Sequence, residues 1–201
     1  YELQEENYEK EFNYLLNGHL YYFESKKNNF KSKLKPWLNI APEIKQLVNL
    51  NKSNINIKKD NYEIKPIFIV GVPRSGSTLV EKVIASGTRY IPIGEETHIL
   101  HEVVDDLINN KKSIISDIEI TKTIIFEKYK QKGLIQEKSD YTFTDKSLEN
   151  FFYVNLIKEI FPNAKVINCR RNVLSCIMSI FQNNLTELAW THDLENIFKY
   201  F

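Results

Sequence analysis

Residues 66–84, PIFIVGVPRSGSTLVEKVI, carry the strongest structural signal in the chain. The overlapping run IKPIFIVG, residues 64–71, is almost continuously apolar and ends in glycine, which is typical of a strand buried on both faces of a parallel sheet. The pattern after it predicts a helix from about Gly76 to Ser86. A strand, a short loop with two glycines and a helix form the local context of a phosphate-binding loop.

The loop itself, residues 71–78, predicts an anion site. Its two glycines stand five residues apart, as in the GxxxxGK[ST] loop of nucleoside triphosphatases, but Ser77 replaces the lysine that reaches the terminal phosphates, and Arg74 lies inside the loop. Backbone N–H groups and hydroxyl groups at the helix start can still hold a phosphate. The loop therefore disfavours a magnesium-dependent kinase. The candidate phosphate-binding residues are Arg74, Ser75, Gly76, Ser77 and Thr78.

Strands and helices alternate in the rest of this region. The predicted elements are strands at 141–144 and 164–169 and helices at 94–109, 117–132, 149–161, 172–184 and 194–201. The strand at 164–169 is apolar and is expected to be buried, and the acids of Gly94-Glu-Glu-Thr are expected in the first turn of their helix. The alternation predicts an α/β fold in which a mainly parallel sheet is flanked by helices in a P-loop-like, three-layer arrangement.

The N-terminal part of the chain has a different character. Residues 2–30 carry apolar residues at helical spacing, interrupted by Asn17-Gly18, and predict a helix pair. A short helix is expected from Pro42 to about Asn49, and the polar residues 51–63 are expected to be a linker. The predicted division is a helical segment at 1–50, the linker at 51–63 and an α/β domain at 64–201.

The composition excludes several classes of function. With 27 Lys and Arg against 26 Asp and Glu, the net charge is +1, so no global field attracts nucleic acid or an anionic membrane. No apolar run is long enough to span a membrane and no signal-peptide pattern is present, so a cytoplasmic location is expected. Cys169 and Cys176 fit a reducing compartment and are expected to be small buried residues. His98 and His101 have no third ligand nearby in the sequence, so no metal is expected.

Arginine is rare and concentrated in two segments. The chain has four arginines, at positions 74, 89, 170 and 171, and three of them lie in GVPRSGST and NCRRN, each directly after an apolar run. Guanidinium groups make planar, bidentate contacts with phosphate that an ammonium group cannot make. The placement therefore indicates anion recognition at both segments.

The first of these segments resembles a known family. PIFIVGVPRSGSTLVEKVI, followed by Gly94-Glu95-Glu96-Thr97, is similar to the 5′-phosphosulfate loop and the Gly-Glu-Glu element of the sulfotransferases, which transfer sulfuryl groups from 3′-phosphoadenosine 5′-phosphosulfate (PAPS). The likeness is greatest to the tyrosylprotein sulfotransferases and to bacterial sulfotransferases fused to tetratricopeptide repeats. It implies PAPS as the co-substrate and a reaction that needs no metal.

The second segment resembles the 3′-phosphate element of the same family. In PNAKVINCRR, residues 162–171, an arginine ends a strand, and a serine follows eight residues later on the next helix. The resemblance implies that Arg171 and Ser179 hold the 3′-phosphate. Arg170 either shares this phosphate or forms a structural salt bridge.

The resemblance also implies which groups react. Glu96 matches the family's proposed base, with Glu95 as the reserve because the spacing carries a one-residue ambiguity. Lys146 in Thr144-Asp-Lys-Ser matches a lysine that, with Arg74, stabilises negative charge on the leaving phosphate oxygen. From the residues alone, the two glutamates are helix N-terminal acids and Lys146 is a surface lysine.

The acceptor is the least determined part of this hypothesis. The resemblance implies a hydroxyl group, with protein tyrosine as the nearest analogy and a glycan or a small molecule as alternatives. It also implies that the N-terminal segment is the end of a helical repeat region and that the domain is truncated at its C-terminus. The alternative from another class is a nucleotide-binding or interaction module without turnover. The sequence gives no oligomeric state.

Overall fold

The computed structural model describes residues 7–26, 64–109, 118–135, 141–186 and 188–201. The helix expected at 42–49 and the linker at 51–63 lie outside the described residues. The chain forms two compact units, one of Tyr1–Ala41 with Arg171–Phe201 and one of Pro42–Arg170. The division at 1–50, 51–63 and 64–201 stays a prediction.

A parallel sheet organises the unit Pro42–Arg170. Its strands are β1 (Ile67–Gly71), β2 (Thr144–Asp145) and β3 (Lys165–Cys169), in the order β2-β1-β3. Ile67 pairs in parallel register with Thr144 on one side and with Lys165 on the other. The predicted α/β class, a parallel sheet flanked by helices, is confirmed.

The two outer strands differ from expectation. β1 is buried at its three central residues, as predicted for the middle of a parallel sheet. β3 forms where a strand was predicted, but three of its five residues are exposed, so the prediction of a buried strand is wrong. Among the described residues β3 pairs with β1 alone, which makes it an edge strand and leaves its other side without a covering strand. The strand expected at 141–144 begins at Thr144.

Helices form where the apolar periodicity predicted them, with two displaced starts. The helix predicted from residue 94 begins at Ile99, and the one predicted from residue 149 begins at Val154, after a 3-10 helix. The helices are α1 (8–26), α2 (Ser77–Ala85), α3 (Ile99–Asn109), α4 (Ile118–Gln131), α5 (Val154–Ile160), α6 (Val173–Gln182) and α7 (Leu194–Tyr200), with 3-10 helices at Leu148–Tyr153 and Ala189–His192. The Gly94-Glu-Glu-Thr segment precedes α3 instead of opening it, so its acids do not occupy the first turn as predicted.

The core of the unit Pro42–Arg170 is apolar and aromatic. Its fully buried side chains include Phe68, Ile69, Ile99, Leu100, Ile125, Tyr129, Phe143 and Leu156. The rings of Tyr129 and Phe143 lie 4.7 Å apart and join α4 to the chain just before β2. Lys128 Nζ donates to Glu102 Oε2 at 3.0 Å and ties α4 to α3. These contacts fix the segment that precedes β2, which carries part of the site described below.

The unit of Tyr1–Ala41 with Arg171–Phe201 has its own apolar cluster. Residues of α1 pack against buried side chains of α6, the second 3-10 helix and α7; the cluster is Ile177, Ile180, Phe181, Trp190 and Ile197, with Phe12, Leu15 and Leu16 from α1 against it. α1 is one continuous helix through Asn17-Gly18, so the predicted helix pair is wrong. The cost of about 1 kcal/mol for a glycine inside a helix is offset by this apolar face.

Two buried histidines join α1 to the second 3-10 helix. The Nδ1 atoms of His19 and His192 are 2.9 Å apart, and His19 Nε2 donates to the carbonyl oxygen of Phe181 at 2.7 Å. Burial, and then the neighbouring His19, lower the pKa of His192 to about 4. The His192 ring is therefore neutral near pH 7.

No helix within the described ranges is both long and apolar enough to cross a membrane. Both cysteines are buried thiols, as predicted.

Candidate active site

The loop between β1 and α2 is built around close backbone approach. A Cβ atom at Gly71 would lie 2.7 Å from the carbonyl oxygen of Cys169 in β3, so only glycine fits beside the adjacent strand. Gly76, which precedes α2, has φ 96, and Arg74 has φ 66. Both φ values lie in the left-handed region, where glycine is tolerated and a side chain is strained. The backbone of the loop is thus held in a conformation that depends on contacts with the neighbouring strand and not on the preferences of its own residues.

The loop contains a buried hydroxyl group that no described residue satisfies. Ser75 is buried, and its Oγ has no hydrogen-bond partner among the described residues. The N-cap residue of α2 is Gly76, which has no side chain to cap the helix. Buried polar atoms are almost always paired, and a helix N-terminus attracts anions. An orphaned hydroxyl beside an uncapped helix start fits a phosphate or a sulfonate.

Glu96 and Lys146, the two residues assigned to the chemistry, form an ion pair. Lys146 Nζ lies 3.1 Å from Glu96 Oε1. The Lys146 side chain is 8% exposed and that of Glu96 is 44% exposed, so the pair has one buried end and one end open to solvent. The interpretation of Lys146 as a surface lysine is therefore wrong. The interpretation of Glu95 and Glu96 as helix N-terminal acids is also wrong, because α3 begins at Ile99.

The two segments that carry this pair bind each other along their length. Lys146 N donates to Glu95 O at 2.8 Å, and His98 N donates to Ser147 Oγ at 2.9 Å. A Cβ atom at Gly94 would overlap the carbonyl oxygen of Thr144, so this glycine permits the close approach. Two residues close to Glu96 in the chain have positive φ, 52 at Glu95 and 56 at His98. Such strained backbone is held in place by surrounding contacts and is common at functional sites.

Asp145, which the sequence interpretation passed over, holds the segment after β2. It is fully buried, and its Oδ2 accepts hydrogen bonds from Thr97 Oγ1 at 2.6 Å and Tyr129 OH at 2.7 Å. Its Oδ1 accepts from Ser147 N at 2.9 Å, Ser147 Oγ at 2.7 Å and Asn150 Nδ2 at 3.0 Å. Burial, and then the Asp145 carboxylate, raise the pKa of Tyr129 well above its ordinary value, which keeps this phenol a donor. The sequence feature that could have indicated this network is the acidic residue Asp145 directly before Lys146.

The two histidines near the site have partners other than a metal. His98 Nδ1 lies 2.5 Å from Glu149 Oε1, and His101 Nδ1 lies 2.7 Å from Tyr153 OH. Across the described ranges, no group of three or more His, Cys, Asp or Glu is placed to hold a metal ion. Glu149 is buried and the His98 side chain is 49% exposed, so a buried carboxylate orients a solvent-accessible imidazole. The sequence interpretation missed Glu149.

The pKa of His98 is expected to fall when Glu149 is replaced by Gln. The hydrogen bond that His98 donates to the Glu149 carboxylate is the largest cause that raises this pKa from 6.5. Burial opposes the rise, and the charges on Glu149, Glu96 and Asp145 add to it. The pKa of His98 is higher in the folded state than in the unfolded state. The His98–Glu149 pair therefore stabilises the fold fully at pH values below the unfolded-state pKa of His98. This stabilisation is lost as the pH rises through the folded-state pKa. An NMR titration of His98 in wild type and Glu149→Gln measures the shift.

Tyr153→Phe is the control for this titration, because it removes the partner of His101 and leaves the His98–Glu149 contact in place. The His98 pKa should stay at its wild-type value in that variant. An unchanged His98 pKa in Glu149→Gln would contradict the assignment of Glu149 as its main partner.

The residues assigned to the 3′-phosphate lie in the other unit. Arg171 is exposed and precedes Asn172, whose side chain caps α6 by accepting from Ser175 N at 3.1 Å. Ser179 is half-buried on α6. Arg170 is exposed at the end of β3. Their roles toward a phosphate stay predictions.

Comparisons with known proteins identify one family and one relative. A family model described as "Sulfotransferase family" matches residues 66–199. A protein of Aquifex aeolicus (strain VF5), described as uncharacterized, is 32% identical over 130 residues, which cover 60% of this chain and 17% of that protein. The chain thus spans under a fifth of the length of this relative. No solved structure shows a significant match to this chain.

Proposed function

Because the chain belongs to the sulfotransferase family over residues 66–199, we propose that it transfers a sulfuryl group from PAPS to an acceptor hydroxyl. The observation that carries this proposal is the buried Ser75 hydroxyl, which lacks a hydrogen-bond partner among the described residues, in the loop that leads into an uncapped helix. Such a loop supplies the donors that a phosphosulfate needs.

The 5′-phosphosulfate is assigned to the loop between β1 and α2. The hydroxyl groups of Ser75, Ser77 and Thr78 and the backbone N–H groups of Ser77 and Thr78 donate to its oxygens. Gly76 permits the close approach, and Arg74 supplies positive charge. Arg171 and Ser179 are assigned to the 3′-phosphate by resemblance to the family's second element. Magnesium has no role in this assignment, because the family resemblance implies a reaction that needs no metal.

The Glu96–Lys146 ion pair supports separate roles for its two residues in the transfer, Glu96 as the base and Lys146 as the positive charge at the leaving oxygen. Glu96, which is half open to solvent, accepts the proton of the acceptor hydroxyl as that oxygen forms a bond to sulfur. The bond between sulfur and the 5′-phosphate oxygen breaks, and the electron pair stays on that oxygen. Lys146 and Arg74 offset the charge that develops there. Lys146 Nζ also donates to Glu96 Oε1 at 3.1 Å and holds this carboxylate in place before the acceptor arrives.

The acceptor is assigned as a hydroxyl group that reaches Glu96 from the solvent side. Protein tyrosine is the nearest analogy by resemblance; glycan and small-molecule hydroxyls are the other candidates. The exposed face of His98, two residues after Glu96, lies on the side that the acceptor approaches. A screen of tyrosine peptides, oligosaccharides and phenols with labelled PAPS distinguishes these three classes.

Calorimetry with 3′-phosphoadenosine 5′-phosphate (PAP), the desulfated product, tests the nucleotide site. We expect binding that does not depend on magnesium, and a rise in Kd of about 10- to 100-fold in Arg171→Ala, which loses a charge-assisted contact worth about 1.5–3 kcal/mol. Arg89→Ala is the matched control, because this arginine lies outside both anion segments, and it should bind PAP as wild type does.

Three other results would change the proposal. Binding that requires magnesium would favour a nucleotide kinase. Binding without turnover across the acceptor screen would favour a nucleotide-binding module. A folded protein that does not bind PAP would refute the nucleotide site and the transferase with it.

A further inference from the structure

Helix α2 has an unusual pattern of burial. Within this fully described helix Glu81 is the buried residue, at 1% exposure, whereas the apolar side chains of Leu79 and Val83 are exposed. Removing a carboxylate from water is costly unless hydrogen bonds satisfy it. A buried glutamate in the helix that follows the phosphate loop therefore needs donors, and the structure shows which ones it has.

One oxygen of Glu81 binds both segments of the candidate active site. Glu81 Oε1 accepts from Thr144 Oγ1 at 2.6 Å and from Glu95 N at 3.2 Å. Thr144 Oγ1 in turn accepts from Gly94 N at 3.2 Å. The same oxygen thus connects α2 to the chain directly before Glu96 and to β2 directly before Lys146.

Glu81 lies in the helix that begins at the phosphate loop, so its contacts link that loop to the Glu96–Lys146 pair. Glu81 lies four residues after Ser77, one turn into α2, so it moves as a rigid body with the phosphate-binding end of the helix. Glu95 is adjacent to Glu96, and Thr144 is two residues from Lys146. The contacts of Glu81 therefore relate the loop that holds the phosphate to the pair that reacts.

We propose that Glu81 is a positioning residue that fixes the Glu96–Lys146 pair relative to the phosphate loop. This inference rests on the proposed sulfuryl transfer, in which the acceptor oxygen, sulfur and the leaving oxygen must be aligned. A misplacement of about 1 Å can lower the rate by about 100-fold without loss of binding. Glu81 itself contacts neither the nucleotide nor the acceptor in this assignment.

The test compares Glu81→Met with Glu81→Gln. Methionine has a similar length and no oxygen, whereas glutamine keeps an Oε1 that accepts from the same two donors. We expect kcat of Glu81→Met to fall by about 30- to 100-fold, with KM for PAPS and Kd for PAP within about threefold of wild type. The glutamine variant should restore kcat to within about threefold of wild type. A purely structural role would instead lower thermal stability and PAP affinity together.

Amide hydrogen exchange tests the same contact without turnover. The amides of Glu95 and Lys146 should exchange faster in Glu81→Met than in wild type and Glu81→Gln, because the segments they join lose their common acceptor. If wild type shows no transferase activity, the proposed function fails while this readout still decides the role of Glu81. If Glu81→Met does not fold, Thr144→Val and Thr144→Ser form the equivalent pair.

Three results would overturn the inference. One is wild-type kcat in Glu81→Met, and another is unchanged exchange at Glu95 and Lys146. Loss of PAP binding in proportion to kcat would also overturn it, because the residue would then act on binding.

Discussion

Lys146→Met is expected to lower kcat for sulfuryl transfer by about 100- to 1,000-fold, the usual loss when one preorganised charge at a reacting oxygen is removed. The Lys146 ammonium is nearly buried and 3.1 Å from Glu96, so little water screens its field. Removing it takes away the charge that offsets the leaving oxygen and the hydrogen bond that orients Glu96. Transfer of labelled sulfate to the acceptor that supports wild-type turnover measures the effect.

The fold should tolerate this substitution. Glu96, the remaining partner, is 44% exposed and is solvated by water when the lysine is absent. The Kd for PAP should rise by less than about tenfold, since a product complex has less to gain from this charge than the transition state. Lys82→Met, at an exposed lysine of α2, is the control and should leave kcat unchanged. A kcat near the wild-type value in Lys146→Met would remove Lys146 from the mechanism.

Asp145→Ala is expected to lower the free energy of unfolding by about 3–5 kcal/mol, the largest stability effect we expect in the site. The substitution leaves five hydrogen bonds without an acceptor in a fully buried position, and each unsatisfied buried donor costs about 1–3 kcal/mol before the site relaxes. Urea denaturation followed by circular dichroism measures the change in the free energy of unfolding.

Asp145→Asn shows how much of the loss in the free energy of unfolding comes from the charge of Asp145 and how much from its hydrogen bonds. Its Oδ1 keeps the contacts with Ser147 and Asn150, and its amide group can donate to the hydroxyls of Thr97 and Tyr129, which can also accept. We expect a loss of about 1 kcal/mol in the free energy of unfolding, much less than for alanine. Equal losses in the two variants would show that the hydrogen-bond network contributes little.

Local patterns were sufficient for the elements around the phosphate loop. The apolar run of β1 and the periodicity of α2 and α4 are properties of short segments, and all three elements form where they were predicted. The start of α3 was not predictable in this way. Thr97 Oγ1 binds Asp145 and accepts from Ile99 N at 3.3 Å, so a residue nearly fifty positions later fixes where the helix begins.

Long-range packing explains the other differences. Residues 164–169 are apolar enough for an inner strand, yet the exposure of β3 depends on which strands pair beside it. Glu81 and Asp145 were passed over because charged residues are usually exposed. The roles of Glu96 and Lys146 came from the family resemblance, and their residue types alone predicted neither the burial of the lysine nor the ion pair.

The ion pair also bears on how the protein acquires its activity during folding. Glu96 and Lys146 are 50 residues apart in the chain, so their contact requires closure of a long loop, which is entropically costly and slow compared with local structure. The residues of the phosphate loop are contiguous in sequence, although Gly71 also packs beside Cys169 of β3. In the proposed transfer, turnover therefore appears only after β2 has packed beside residues 94–97 and brought Glu96 to Lys146.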